Sequence, residues 1–252
     1  MKKRKNTILL PIIAFAFFNF HIGLAQGTTT KVRSFDKVII SPHIEVIFQQ
    51  GNSESVLIES STVSANKINI EVNSKTLRIY LDDAKELTKS EKTYHQGYKQ
   101  KRPIYKGTVL KAIVTYKNLE ELSLRGEEKF ICKSTLTGDK FRLKIYGESQ
   151  VYIKSLALRS LQTTIYGESY LELEDGTVDR QKITAYGETR VNTLGVESKS
   201  AKVTAYGEGS YRLNVSDNLK ITAYGEATVA YQGNPEVNKG IIIGRSRIQK
   251  IQ

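Results

Sequence analysis

The 252 residues include one cysteine, one methionine, four prolines, three histidines and no tryptophan. A single cysteine, Cys132, excludes an intrachain disulfide. Beyond the first 25 residues only His43 and His95 remain. They lack metal-ligand spacing, and no nucleophile signature accompanies them, so enzyme chemistry finds little support. Helical periodicity is also missing: no stretch of useful length repeats its apolar residues every 3.6 positions. Long apolar runs are confined to Ile8–Phe20, which is too short for a permanent membrane span.

That run belongs to a processing signal. Lys2, Lys3, Arg4 and Lys5 precede it, and Gly23-Leu24-Ala25 offers small residues for cleavage before Gln26. Residues 1–25 are therefore expected to be a signal peptide, with an exported mature chain that has no transmembrane segment. Its destination is the periplasm, the outer-membrane surface or the medium. Removing the four cations lowers the formal net charge from +12 to +8, so the mature chain is basic. About 225 residues remain, enough for a sizeable core.

What is present is short, alternating and β-like. Val38–Ile40, Ile44–Phe48, Val56–Ile58, Ile68–Val72 and Leu77–Leu81 are rich in valine and isoleucine and separated by turn formers. Residues 31–118 read as an N-terminal β segment. Within it, residues 82–107 break the rhythm and read as a long basic loop. Lys85, Lys89, Lys92, Lys99, Lys101, Arg102 and Lys106 face only Glu86 and Glu91 between Lys85 and Lys106, with Tyr94, Tyr98 and Tyr105 interleaved. Such a loop is a solvated excursion or a contact for an anionic polymer. Export argues against nucleic acid as the natural partner.

The second half is repetitive. Gly126-Glu127, Gly147-Glu148, Gly167-Glu168, Gly187-Glu188, Gly207-Glu208 and Gly225-Glu226 recur at steps of 21, 20, 20, 20 and 18 residues, and Gly244-Arg245 adds a degenerate copy. A period near 20 marks stacked supersecondary units. Four residues before each glycine stand Leu122, Leu143, Thr163, Ile183, Val203 and Ile221; two before it stand Leu124, Ile145, Ile165, Ala185, Ala205, Ala223 and Ile242. Phe130, Val151, Leu171, Val191, Tyr211, Val229 and Ile248 follow four after it. Cys132, Ile153, Leu173, Thr193, Leu213 and Tyr231 follow six after it. Each unit thus reads as two short strands with inward rows, meeting at the Gly-Glu bend. Cys132 lies on an inward row, as a buried small hydrophobe.

A two-residue hairpin at the bend would put the rows before and after it on opposite faces. A three-residue hairpin loop or a solenoid corner keeps them together. The expected fold is all-β: a right-handed parallel β-helix-like solenoid over 119–252, continuous with the N-terminal segment, with a hairpin array as the alternative. Seven rungs would span roughly 30 Å at the usual strand spacing.

Phe35-Asp36-Lys37-Val38, Gln50-Gly51, Thr76-Leu77-Arg78-Ile79, the Gly-Glu-Ser/Thr bends and the closing Tyr231-Gln232-Gly233-Asn234-Pro235 together resemble the "putative auto-transporter adhesin" family with a head GIN domain. The likeness covers roughly residues 35–245. It implies a β-helix-like fold, export in bacteria of the Bacteroidetes type and a role in adhesion, and it carries over no catalytic residues. This chain departs from the family in placing glutamate after the glycine, where small polar residues are commoner, and tyrosine before it.

Two candidate binding files follow from stacking. Tyr146, Tyr166, Tyr186, Tyr206 and Tyr224 point outward beside the glycines and could meet a surface glycan or protein, or stack on themselves. Glu148, Glu168, Glu188, Glu208 and Glu226, headed by Glu127, form the neighbouring file. Those carboxylates either hold Ca2+ or extend into solvent. The functional expectation is a non-catalytic, adhesin-like recognition protein of the cell envelope. The alternatives are a cation-stabilised scaffold and a polysaccharide-cleaving β-helix enzyme. A free rod end would permit oligomers.

Overall fold

In a computed structural model, residues 27–95 and 98–252 are described; the signal-peptide segment lies outside them. Apart from one separate hairpin, every strand belongs to one continuous sheet wound into a β-solenoid of about six turns of about 20 residues. Parallel pairing distinguishes the coil from a hairpin array. Leu143 pairs with Leu122 on one side and Thr163 on the other, and Thr163 pairs with Ile183 and Ile183 with Val203. Each row therefore stacks on its own copy in the next turn.

Every turn has three sides rather than two. Along Leu156–Tyr166, buried residues fall at Leu156 and Leu158, then at Leu161, Thr163 and Ile165, so the alternation skips one position at a corner near Arg159. After the Gly-Glu bend, Leu171 and Leu173 are the buried residues of Tyr170–Leu173. The extra side carries the ladder Leu136, Leu156, Gly176, Val196. Period-2 rows flanking the glycine reveal two sides. The third is only three or so residues long, too short to show a period, and one of its rungs is glycine.

The inward rows form one core, with Phe141, Leu143, Ile145, Val151, Ile153, Leu161, Ile165 and Leu171 almost wholly buried. Two inward polar atoms have no partner among the described residues: the Thr163 hydroxyl and the Gln181 amide nitrogen. The Gln181 carbonyl accepts weak bonds from Thr193 and Ser198.

The N-terminal segment supplies two further turns in an order the chain direction does not suggest. Val38 pairs with both Leu77 and Leu122, and Val46 with both Ala112 and Phe130. Residues 37–50 therefore lie between the turn built from Thr76–Leu81 and Leu110–Tyr116 and the first Gly-Glu turn. Antiparallel strands Ile68–Asn73, Ser55–Ser61 and Thr28–Lys31 close that end. They occupy a sheet edge that would otherwise be open.

Residues 82–107 leave the solenoid where later turns make their Gly-Glu bend. The expected loop contains a two-stranded hairpin, Ser90–His95 with Tyr98–Pro103. Its described side chains are all exposed, so they show no alternation to read. Its base is tied down by buried Ala84 and Tyr105, whose hydroxyl donates to the Asp82 carbonyl at 3.1 Å.

Cys132 is buried beside the Tyr116 hydroxyl, 3.7 Å from its Sγ. Burial pushes its thiol up from an ordinary 9.0 to about 11, against smaller lowering contributions from Tyr116 and the Ser134 backbone. The folded state holds this proton more tightly than the unfolded chain. Its stabilising contribution is thus complete below about pH 9 and is lost as pH rises toward 11. Native protein at pH 8 is expected to resist a thiol-specific disulfide reagent, with one thiol titrating after denaturation. Fast native labelling would show that Cys132 is not enclosed.

Candidate functional site: the tyrosine and glutamate face

The bend itself explains the repeated glycine. Gly167 has φ +115°, and an added Cβ would run into the carbonyl of Gly147 one turn below. Gly147, Gly187, Gly207, Gly225 and Gly244 repeat both features. In the Gly147 and Gly167 turns the residue two after the glycine is buried and closes the bend: Ser149 Oγ donates to the Gly126 carbonyl at 2.8 Å, and Ser169 Oγ to the Gly147 carbonyl at 2.9 Å. The recurrent Ser or Thr of the motif is thus a rung-to-rung hydrogen bond, a role invisible in spacing alone.

Glycine packing at this distance sets the side chains before it in close register. Tyr146, Tyr166, Tyr186, Tyr206 and Tyr224 form one column, with ring centroids 5.2, 4.8, 4.7 and 4.9 Å apart and planes within 7° of parallel. The Arg125 guanidinium covers the first ring at 5.4 Å and is held by Glu86, which also pairs with Arg78. Ile243 stands in register beyond the last ring. Ring faces are therefore spent on one another. Edges and phenolic hydroxyls face outward, with Tyr166, Tyr186 and Tyr206 exposed at 43, 37 and 38%.

Around the bend, Glu127, Glu148, Glu168, Glu188, Glu208 and Glu226 are all exposed. Glu188 lies 3.9 Å from Arg190, a loose surface pair. Among the described residues, no three acidic, histidine or cysteine side chains converge as a cation site. On the other flank of the column lie Thr164, Thr184, Thr204 and Thr222, all half-buried.

At the head of the column lies an open cavity of about 480 Å3, bounded by His43, Leu87, Arg125, Glu128 and Tyr146. His43 Nδ1 lies 2.7 Å from the Gly107 carbonyl and Nε2 2.6 Å from the Thr88 hydroxyl. A carbonyl only accepts, so Nδ1 carries the proton and a neutral ring accepts at Nε2 from Thr88. His43 thereby pins both ends of the basic excursion. Glu128 replaces the bend hydroxyl in the first Gly-Glu turn and accepts from the Glu127 backbone N–H at 2.9 Å. Burial holds its carboxyl above the usual range despite that bond and the nearby His43. None of these roles was readable from the repeat, because each belongs to the turn where the repeat begins. Of the aromatics in residues 82–107, Tyr98 is exposed and Tyr105 is buried, so Tyr105 offers no contact surface.

The family model described as "Putative auto-transporter adhesin, head GIN domain" matches residues 34–235. The chain belongs to this family. The match begins just before the strand Lys37–Ile40 and ends just past Gly233, and so includes all six Gly-Glu bends and the whole tyrosine column. Among solved structures, a "putative adhesin" from Bacteroides fragilis superposes with a TM-score of 0.73 at 19% identity, covering 89% of this chain and 96% of that one. A "putative lipid binding protein" from Parabacteroides distasonis gives 0.65 at 19%, covering 90 and 98%. A "putative adhesin" from the same species gives 0.64 at 18%, covering 89 and 96%. At these identities the likeness is one of fold. No curated protein matches the chain.

Proposed function

We propose that the chain is an exported, non-catalytic recognition protein of the cell envelope, adhesin-like, which binds a glycan or protein through the tyrosine and glutamate files. The observation that carries this reading is the column of five stacked, near-parallel tyrosines with an exposed carboxylate file beside it. Family membership supports both export and adhesion. Because ring faces are covered, the ligand does not intercalate or stack. It meets a row of ring edges, phenolic hydroxyls and carboxylates. Such a row suits the many hydroxyls of a neutral glycan or the amides of an extended peptide.

The test is a glycan array, with extracellular-matrix proteins spotted alongside, probed with the mature chain. Tyr166→Ser/Tyr186→Ser/Tyr206→Ser is expected to weaken the strongest signals at least tenfold while leaving the far-UV spectrum unchanged. Equal binding by the variant would remove the file as the contact. The same stacking supports a second reading, a rigid envelope scaffold, since each aromatic pair adds roughly 0.5–1.5 kcal/mol. That reading predicts a silent array and a lower melting temperature for the triple variant.

A further inference from the structure

The outward positions that precede each tyrosine carry a second, chemically opposite file. Five residues before the glycines stand Arg142, Gln162, Lys182, Lys202 and Lys220, with Arg142, Gln162, Lys182 and Lys202 paired in direct register. Seven before them, Lys140 and Arg180 add charge at the same corner. Lys140, Gln162, Arg180, Lys182, Lys202 and Lys220 line an open groove of about 680 Å3 that crosses successive turns, bordered at one end also by Asp139 and Arg159. Arg142 and Lys144, outside the groove lining, are neutralised by Glu121 at 2.7 Å each. Among the described residues, Lys140, Arg180, Lys182, Lys202 and Lys220 have no carboxylate within salt-bridge distance.

A neighbouring file shows what self-sufficient pairing looks like in this fold. Eight residues before the glycines the signs alternate: Asp139, Arg159, Asp179, Lys199, Asp217. Successive turns there form ion pairs, Arg159 to Asp139 at 3.9 Å and Lys199 to Asp179 at 2.7 Å. The file at minus five does the reverse. It sets lysine against lysine at the strand spacing of about 4.8 Å, where like charges directly opposite destabilise a sheet. A ladder of unneutralised cations along a groove is complementary to an anionic chain running the same way.

We propose that this groove binds a linear anionic polysaccharide laid parallel to the solenoid axis, its carboxylate or sulfate groups meeting Lys182, Lys202 and Lys220. A sugar ring in such a polymer advances by about one strand spacing, so successive acidic residues meet successive turns. A nucleic acid fits less well: single strands are held by stacking on open aromatic faces, and the nearest rings are closed upon one another. A flat anionic membrane fits less well too, because the cations line a groove. This surface is separate from the tyrosine and glutamate files and does not depend on their role.

The test uses the mature chain with fluorescent heparin and polygalacturonate oligosaccharides, read by anisotropy. Neutral dextran, single-stranded DNA and phosphatidylglycerol vesicles are the comparison arms. Both acidic sugars are expected to bind, weakening on the order of tenfold as salt rises from about 50 to about 200 mM. Lys182→Gln/Lys202→Gln/Lys220→Gln is expected to lose at least tenfold in affinity with unchanged circular dichroism. Lys99→Gln/Lys101→Gln/Arg102→Gln, in the hairpin, should stay within twofold. The Tyr166→Ser/Tyr186→Ser/Tyr206→Ser variant should bind the acidic sugars normally, which separates this groove from the tyrosine face. No acidic-sugar binding, wild-type affinity in the triple lysine variant, or stronger binding to DNA or vesicles overturns the proposal.

Discussion

Replacing Gly167 by alanine is expected to destabilise the protein by about 3 kcal/mol or more. Two costs combine. A φ of +115° lies where residues with a Cβ are rarely found, a penalty on the order of 1–3 kcal/mol. The new methyl would also press on the Gly147 carbonyl oxygen and carbon, which are backbone and cannot swing aside. The turns would have to separate, and the Ser169 bond to Gly147 and the Tyr146–Tyr166 contact would loosen with them. Gly107 provides the control. Its φ of +60° lies in the ordinary left-handed region, and nothing approaches its missing Cβ within 4 Å, so Gly107→Ala should cost only about 1 kcal/mol. Urea midpoints for the two variants decide the matter. Equal shifts would mean that the bends do not nest as described.

Ile165→Asp is expected to abolish stable folding, with a cost of about 5 kcal/mol or more. Ile165 is wholly buried between Ile145 and Ala185 on adjacent rungs. The change forfeits the transfer free energy of the side chain, about 1.5–3 kcal/mol, and adds a carboxylate with no partner in the core. Its neighbour Thr164 lies on the opposite face of the same strand, between Lys144 and Thr184. Thr164→Asp should therefore stay within about 0.5 kcal/mol of wild type. Soluble yield and the β-sheet circular dichroism signal provide the readout. A single-residue slip of register would reverse the two outcomes, so the pair tests inward and outward assignment directly.

Much of this was legible because the repeat reports its own geometry. The inward rows at Leu122, Leu124, Phe130 and Cys132 and their copies through Ile221, Ala223 and Val229 are buried, save that the last turn leaves Tyr231, Ile242 and Ile248 only partly covered. The tyrosines point outward and align, as period-2 alternation requires. What alternation could not convey was what the outward rings face. Self-stacking depends on the distance between turns, and that distance is set by glycine nesting on glycine. Register alone leaves a three-residue hairpin loop open; the twenty-residue period favours stacked coils, and the parallel pairing decides for the solenoid.

The N-terminal half was legible strand by strand but not as an arrangement. Nothing in Val38–Ile40 or Ile44–Phe48 states that they insert between a later strand pair and the first repeat. That choice depends on which edges remain free once Thr76–Leu81 and Leu110–Tyr116 have formed. The hairpin at Ser90–Pro103 was hidden because its sequence is polar and carries no apolar alternation. The groove cations were present in the sequence as scattered lysines. They became a ladder only when the turn length brought Lys182, Lys202 and Lys220 to one corner.

Local composition and the twenty-residue period were sufficient to determine a β chain with an apolar inside, a tyrosine-bearing outside and a recurrent Gly-Glu bend, because side-chain alternation and turn chemistry are properties of a few consecutive residues. The tertiary structure alone decided the three-sided turn, the order in which the N-terminal strands stack, the closure of the tyrosine faces and the separation of acidic from basic files. Each of those depends on contacts between residues about twenty or more positions apart, whose free energy exists only after neighbouring turns have met.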